Sequence, residues 1–236
     1  MNYFLGCDVA LNHSGFLALD EDGKVVGLRY LTDQKSSADR SRRESVHFAA
    51  PNPKQVPDSR AREMLRLANA FTVYRRFIAE LAPSFAYVEG YAYGTPKGEL
   101  TGEVAGAVKL TLWGRGVPFR LMGPESVKMF AAWKGDAEKA EVIQAVRARW
   151  SQDFTAYRKQ GDAADAGQTE EDLADAYVLA RMCWTEWRLR SGRTTPQDLE
   201  HDQERRVYLR ATKVQPVNIL GSEWTALAAV PEKFRP

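Results

Sequence analysis

One stretch constrains this chain more than any other: Tyr3-Phe4-Leu5-Gly6-Cys7-Asp8-Val9-Ala10, followed closely by Ser14-Gly15. An apolar run of this length, closed by a turn signal, predicts a central β-strand. The strand ends in an acid, Asp8. An unpaired carboxylate at the end of a core strand is costly, so a hydrogen-bond donor, a basic partner or a metal must compensate it. Residues 14–20 and 24–32 predict two more strands. Between them Asp20-Glu21-Asp22-Gly23 reads as a hairpin turn, with glycine where a positive φ is cheap.

The polar stretch 33–58 is expected to be a long loop. Residues 35–76 hold ten basic and four acidic residues, a local excess of six positive charges. That excess fits either a solvated loop and helix face or a rim that contacts phosphates. Residues 59–82 carry a helical stripe of Met64, Leu67, Ala68, Phe71, Tyr74, Phe77, Ile78 and Leu81, with Ser59 as a cap and Pro83 as a stop. Phe85–Glu89 is a short apolar run that again ends in an acid, and 90–98 is a Gly- and Pro-punctuated loop around Tyr91 and Tyr93. Residues 99–113 predict a helix in which Gly102, Ala105, Gly106 and Ala107 permit close backbone approach. A strand over 117–122, helices over 125–133 and 137–150, a loop over 153–168 and a helix over 170–189 complete the pattern. The last helix has Leu173, Tyr177, Ala180, Trp184 and Trp187 on one stripe. The order β-β-β-α-β-α-β-α-α predicts an α/β fold, a mixed sheet covered by helices, over residues 1–190. Residues 191–236 are expected to form a C-terminal extension with a charged stretch at 198–206 and a strand at 207–212.

Hydrophobic residues make up 44% of the 236, enough for a real core. Net charge is +2, so a nucleic-acid face would have to come from local segregation of charge. Cys7 and Cys183 sit in apolar patterns and suit buried thiols in a reducing compartment. No apolar stretch approaches the ~20 residues a membrane helix needs, and no signal peptide is seen, so a cytoplasmic protein with no membrane partner is expected.

Asp8 and Glu89 each end a strand, and a third acidic group, Thr169-Glu170-Glu171-Asp172-Leu173-Ala174-Asp175-Ala176, opens the last helix. Asp172 and Asp175 are three apart and share a face; Glu171 and Asp175 are four apart and also meet. Like charges this close raise one another's pKa unless a cation lies between them. All-oxygen ligands suit Mg²⁺ or Mn²⁺, and four carboxylates suit two such ions about 3.5–4 Å apart, an arrangement that hydrolyses phosphodiesters. A structural reading stands beside each acid: Thr169 and Asp172 form a capping-box pattern, Asp8 suits a hydrogen-bonded core acid, and Glu89 suits a salt bridge. If metal compensates Asp8, the metal-free protein should have Asp8 poorly ordered or sharing a proton with a neighbour. His13, His47 and His201 have no metal-ligand spacing, and neither a Cys/His zinc pattern nor a phosphate-binding G-x-x-x-x-G-K-[ST] loop is present.

Four pieces in order resemble the RuvC-type Holliday-junction resolvases of the ribonuclease H-like/integrase superfamily. They are Phe4-Leu5-Gly6-Cys7-Asp8 with Ser14-Gly15, Tyr87-Val88-Glu89, Gly135-Asp136-Ala137-Glu138-Lys139, and Asp172-Leu173-Ala174-Asp175-Ala176. The resemblance spans roughly residues 3–188. It implies a ribonuclease H-like mixed five-stranded sheet, three antiparallel strands then parallel ones, flanked by helices. It also implies a homodimer that binds four-way DNA junctions and nicks two opposed strands with divalent metal, Mg²⁺ or Mn²⁺. Carried over by motif, Asp8, Glu89, Asp172 and Asp175 would be the metal-binding catalytic carboxylates, and Lys139 would contact the phosphate. Lys97, Lys134, Arg40, Arg42 and Arg43 would be further DNA-facing cations. The family has an aromatic three residues after its strand-end Glu. Here that place is Ala92, and Tyr91 or Tyr93 beside it offers the π-face that stacking needs. The 33–58 loop and the tail beyond 190 exceed the usual family length, which resembles viral or mobile-element relatives acting on a wider range of branched DNA. The alternative on the same fold is a non-catalytic branched-DNA scaffold. A sugar-kinase or actin-type ATPase shares the core but needs a duplicated domain, for which 236 residues leave no room.

Overall fold

The computed structural model describes residues 1–10, 13–32, 45–47, 54–90, 98–157 and 168–214. Strand β1 is Phe4–Val9, β2 His13–Leu19 and β3 Val25–Thr32. Gly23 turns the β2–β3 hairpin at φ 77°, and the Asp20 carboxylate accepts from the Asp22 and Lys24 amides. The remaining elements are β4 (Ser45–His47), α1 (Ser59–Leu81), β5 (Phe85–Glu89), α2 (Gly98–Gly114), β6 (Phe119–Met122), α3 (Pro124–Ala132), α4 (Lys139–Trp150), α5 (Gln168–Arg190) and α6 (Asp202–Val214).

The sheet order is β4-β3-β2-β1-β5-β6. β1, β2 and β3 pair antiparallel, while β5 joins β1 and β6 joins β5 in parallel. This is the ribonuclease H-like sheet of five strands, with one addition. β4 lies inside the stretch expected to be wholly loop, and it pairs in parallel with β3 at the sheet edge. Three residues in polar surroundings give too little alternation to announce a strand.

Alternation along β1 decides which helix sees which residue. Leu5, Cys7 and Val9 belong to the core beneath α1 and α2. Phe4 belongs to the opposite core, which α5 fills from Leu173 to Trp187. Gly6 and Asp8, in step with Phe4, therefore face α5. α5 is far more enclosed than one apolar stripe implies, since most of its residues from Thr169 to Trp187 are buried. Its backbone seats directly on the sheet at two glycines. A Cβ at Gly6 would lie 2.0 Å from the Ala176 carbonyl oxygen, and one at Gly15 would lie 2.3 Å from that of Asp172. Only glycine permits such approach.

Three local expectations are corrected. Asp58, not Ser59, caps α1, its carboxylate accepting from the Ala61 amide at 2.9 Å. The α1 stripe divides: Tyr74, Phe77 and Ile78 are buried against the sheet, whereas Met64 is 59% exposed. Ser59 is the first residue of α1, one place inside the position expected of it; among the described residues nothing lies within 4 Å of a Cβ built at Gly106, which leaves the close approach that α2 permits there open to a second copy. Residues 207–212 are helical within α6 rather than a strand. The β-prone Val207-Tyr208-Leu209 run misleads, because buried Glu204, Val207 and Tyr208 follow helical spacing, and His201 Nδ1 accepts the Gln203 amide at the helix start. Tyr208 donates to the Met182 carbonyl of α5, fixing this part of the extension to the core. Cys7 and Cys183 are free and buried. Among the described residues no helix is long and apolar enough to cross a membrane.

Candidate active site

Four carboxylates from three elements meet at the carboxyl ends of β1 and β5. Cys7 pairs with Val88 in register, so Asp8 and Glu89, the next residue of each strand, stand side by side. α5 brings Asp172 and Asp175 over them, at the height that the Gly15–Asp172 contact sets. Asp172 is buried, and the other three keep partial access to solvent.

The electrostatics are those of a crowded acid cluster. Burial pushes the Asp8 carboxyl well above the usual carboxylate range, and the neighbouring Glu89 adds to this by charge and by a shared hydrogen bond. Glu89 is raised to about 7 by burial and by Asp175 and Asp172, against the opposing pull of its hydrogen bond with Asp8. Asp172 and Asp175 are raised by burial and then by Asp8. Gln168 Nε2 donates to Asp172 at 2.6 Å. Thr169 lies within α5, so Asp172 is not the capping acid that its spacing suggested.

Lys139 is the first residue of α4, placed by the turn over Lys134–Ala137 and by the reciprocal cap of Glu138 and Glu141. Its Nζ reaches Glu171 Oε2 at 2.5 Å. Burial opposes the charge on Lys139, but Glu171, Asp172 and Asp175 outweigh it and hold the ammonium above its ordinary pKa. The same lysine lowers all four acids, so it faces the cluster. Lys134 is exposed and lies 3.4 Å from Glu141, so it is held at the turn before α4. Tyr91, Tyr93, Lys97, Arg40, Arg42 and Arg43 lie outside the described residues.

Sequence reasoning missed three supports. Glu171 holds Lys139 instead of only adding charge beside Asp175. Ser14 Oγ donates to the Ala10 carbonyl at 2.7 Å and takes the Ala10 amide at 3.0 Å, and Tyr74 lies 2.9 Å away, so the chain leaving Asp8 is pinned to α1. Gly6 and Gly15 seat α5. A glycine in a strand interior signals close backbone approach, and that signal was present in both.

The donor set is all oxygen and largely desolvated, four carboxyls against one nearby ammonium, which fits a hard divalent cation. Among the described residues no three His, Cys, Asp or Glu side chains are gathered closely enough to grip one ion. In this arrangement the shared Asp8–Glu89 hydrogen bond and Lys139 carry the compensation.

No family model matches the chain, and no curated protein matches it in sequence. Solved structures do resemble it. Thermus thermophilus RuvC in complex with a Holliday junction substrate superposes with a TM-score of 0.51 at 17% identity, covering 81% of this chain and 97% of that one. A second Thermus thermophilus RuvC structure gives 0.49 at 21% identity, covering 80% and 96%. The yeast mitochondrial Holliday junction resolvase gives 0.39 at 11% identity, covering 80% and 84%. The chain has the fold of the RuvC-type resolvases.

Proposed function

We propose that this protein is a divalent-metal-dependent endonuclease that resolves four-way or other branched DNA by paired phosphodiester hydrolysis. The observation that carries the reading is the meeting of Asp8, Glu89, Asp172 and Asp175 with Lys139 at one end of a ribonuclease H-like sheet. The junction as substrate is supported by the fold shared with a RuvC solved on a Holliday junction.

Asp8, Glu89, Asp172 and Asp175 would hold Mg²⁺ or Mn²⁺, with two ions suiting four carboxylates. Bound there, the metal supplies an activated water and charge stabilisation at the leaving oxygen. Lys139 sets an ammonium beside the same acids, where it offsets the charge that develops on the scissile phosphate. Glu171 keeps that ammonium oriented. Loss to solvent of the proton shared by Asp8 and Glu89 would leave both carboxylates able to hold the cation.

Paired cuts need two sites, and a second copy of the chain would supply the other. A groove of about 740 Å³ between α1 and α2 is lined by Met64, Leu67, Phe71 and Leu110. Met64 and Leu110 are 59% and 66% exposed, and Gly106 lies open on the same helix as Leu110. Burying this face in a two-fold pair removes the apolar exposure. Sedimentation of Leu110→Asp should then report a monomer where the parent is a dimer; a monomeric parent ends the dimer assignment.

The functional test is incubation with a four-way junction, a Y-fork and linear duplex in Mg²⁺ and in Mn²⁺, reading which strands are nicked. Paired nicks on branched substrates are expected. Equal cutting of linear duplex removes the resolvase reading, and tight binding without cutting in either metal favours a scaffold.

A further inference from the structure

A second charged feature lies at the opposite end of α5 from the acids. Five side chains form an alternating stack of guanidinium groups and indoles. The Arg149 guanidinium carbon is 4.3 Å from the centre of Trp150, Arg181 is 5.6 Å from Trp150 and 4.3 Å from Trp184, and Arg188 is 4.5 Å from Trp184. The stack walls a cavity of about 150 Å³. Its other wall comes from the C-terminal extension, through Thr194, Asp198, Leu199, Glu200 and Glu204. The Trp184 indole donates to the Glu21 carbonyl, and Arg181 approaches Gly23, so the cavity lies by the β2–β3 turn. Phe4 pairs with Leu19 at that end of β1, whereas Asp8 is at the other.

The three arginines are not equivalent. Arg149 is fully engaged, by Glu200 and Glu204 and by the carbonyls of Phe130 and Ala131. The third acid, Asp198, accepts from the Thr195 amide and hydroxyl and feels the Arg188 charge only at a distance, without an ion pair. Arg181 and Arg188 have no carboxylate within ion-pair distance among the described residues. Among the described residues the Arg188 side chain makes one hydrogen bond, a long one to the Arg193 carbonyl at 3.4 Å. Burial and the like charges of Arg149 and Arg188 push the Arg181 guanidinium below its ordinary pKa. Two cations thus converge on one cavity, held on indole faces, with no carboxylate within ion-pair distance among the described residues to take up their forks. A guanidinium fork matches a tetrahedral oxyanion, and stacking on indole holds the fork in place. The cavity has room for such a group.

We infer that Arg181 and Arg188, with Trp150 and Trp184 behind them, form a binding site for a phosphoryl group, distinct from the carboxylate cluster. Along α5 the two arginines lie six and thirteen residues beyond Asp175, about 9 and 20 Å of helix. The inference does not depend on the nuclease reading. Phosphoryl oxygens reach the site either as free orthophosphate or as the backbone of a DNA arm.

The test uses the full chain and two variants, Arg181→Met and Arg188→Met, which remove the charge and keep an apolar stem on the indole. Calorimetric titration with inorganic phosphate, with tryptophan fluorescence in parallel, reads the free anion. Binding of a linear duplex across a salt series without divalent metal reads the DNA source. Saturable phosphate binding is expected in the parent, at least tenfold weaker in each variant, while the variants melt no lower than the parent because a repelling cation is gone. If DNA is the source, each variant also weakens duplex binding and flattens its logarithmic salt slope by about 0.9. If free phosphate is the source, duplex binding stays as in the parent. Phosphate and duplex binding that are both unchanged in Arg181→Met would overturn the assignment, as would the absence of saturable phosphate binding and of any salt-slope change.

Discussion

Replacing Glu89 with Gln should stabilise the metal-free protein at pH 8 while removing an arm of the proposed metal site. Glu89 is held at about 7, against an ordinary 4.5, by burial and by Asp175 and Asp172. An acid raised in this way keeps a proton in the folded state that the unfolded state has already lost. Stability therefore falls as pH rises from about 4.5 to about 7, and the full cost is present above 7. The gap between 4.5 and about 7 corresponds to about 3 kcal/mol. Gln carries no charge at any pH and so escapes this cost, but it weakens the hydrogen bond shared with Asp8, a loss of about 1 kcal/mol. The net gain is about 2 kcal/mol at pH 8. For a chain of this size that is about 4–8 °C in Tm. Circular-dichroism melts of both proteins in EDTA, from pH 4.5 to 8, give the comparison. The two Tm curves should separate with rising pH, the variant above. A variant that melts lower by a constant amount at every pH, or a parent that gains stability between pH 5 and 7, refutes the reasoning.

Gly6→Ala would drive a methyl into the Ala176 carbonyl of α5; a loss of more than about 3 kcal/mol is expected in denaturant melts, and parental stability would show that the helix is not seated there. Beneath the site, buried Glu186 takes hydrogen bonds from Tyr87, Arg190 and Arg120, the last from Nε and Nη2 at 2.8 Å each, tying α5 to β5 and β6. Glu186→Leu strands a buried guanidinium and should cost about 3–5 kcal/mol, part of which returns when Arg120→Met is added; strict additivity of the two would argue against a coupled pair. Lys139→Met should slow single-turnover nicking by about 10²-fold, and Glu171→Gln, which only orients Lys139, by less. If Glu171→Gln proves the more damaging, Lys139 is not the group that meets the phosphate.

Much of this fold was legible because its signals are local. Apolar runs bounded by Gly23 and Pro83 marked strand and helix ends, and the spacing of Asp172 and Asp175 put both on one helical face. What stayed hidden depends on contacts distant in sequence. Glu171 has no signature until α4 delivers Lys139 to it from 32 residues away. The splitting of the α1 stripe depends on where the sheet ends, since Tyr74 packs on it and Met64 does not. The helix at Asp202–Val214 was hidden behind its β-prone Val207-Tyr208-Leu209 run, where propensity loses to the burial of Val207 and Tyr208 against α3 and α5.

The central claim is that the buried acids are a catalytic metal site and not a structural cluster. Single-turnover cleavage of a four-way junction by the parent and by Asp175→Asn, at protein concentrations giving equal junction binding in a gel-shift assay, tests it most directly. Paired nicks are expected from the parent in Mg²⁺ or Mn²⁺, none in EDTA, and none from Asp175→Asn in any metal although the junction is bound. Cleavage by Asp175→Asn at the parental rate, or by either protein in EDTA, contradicts it.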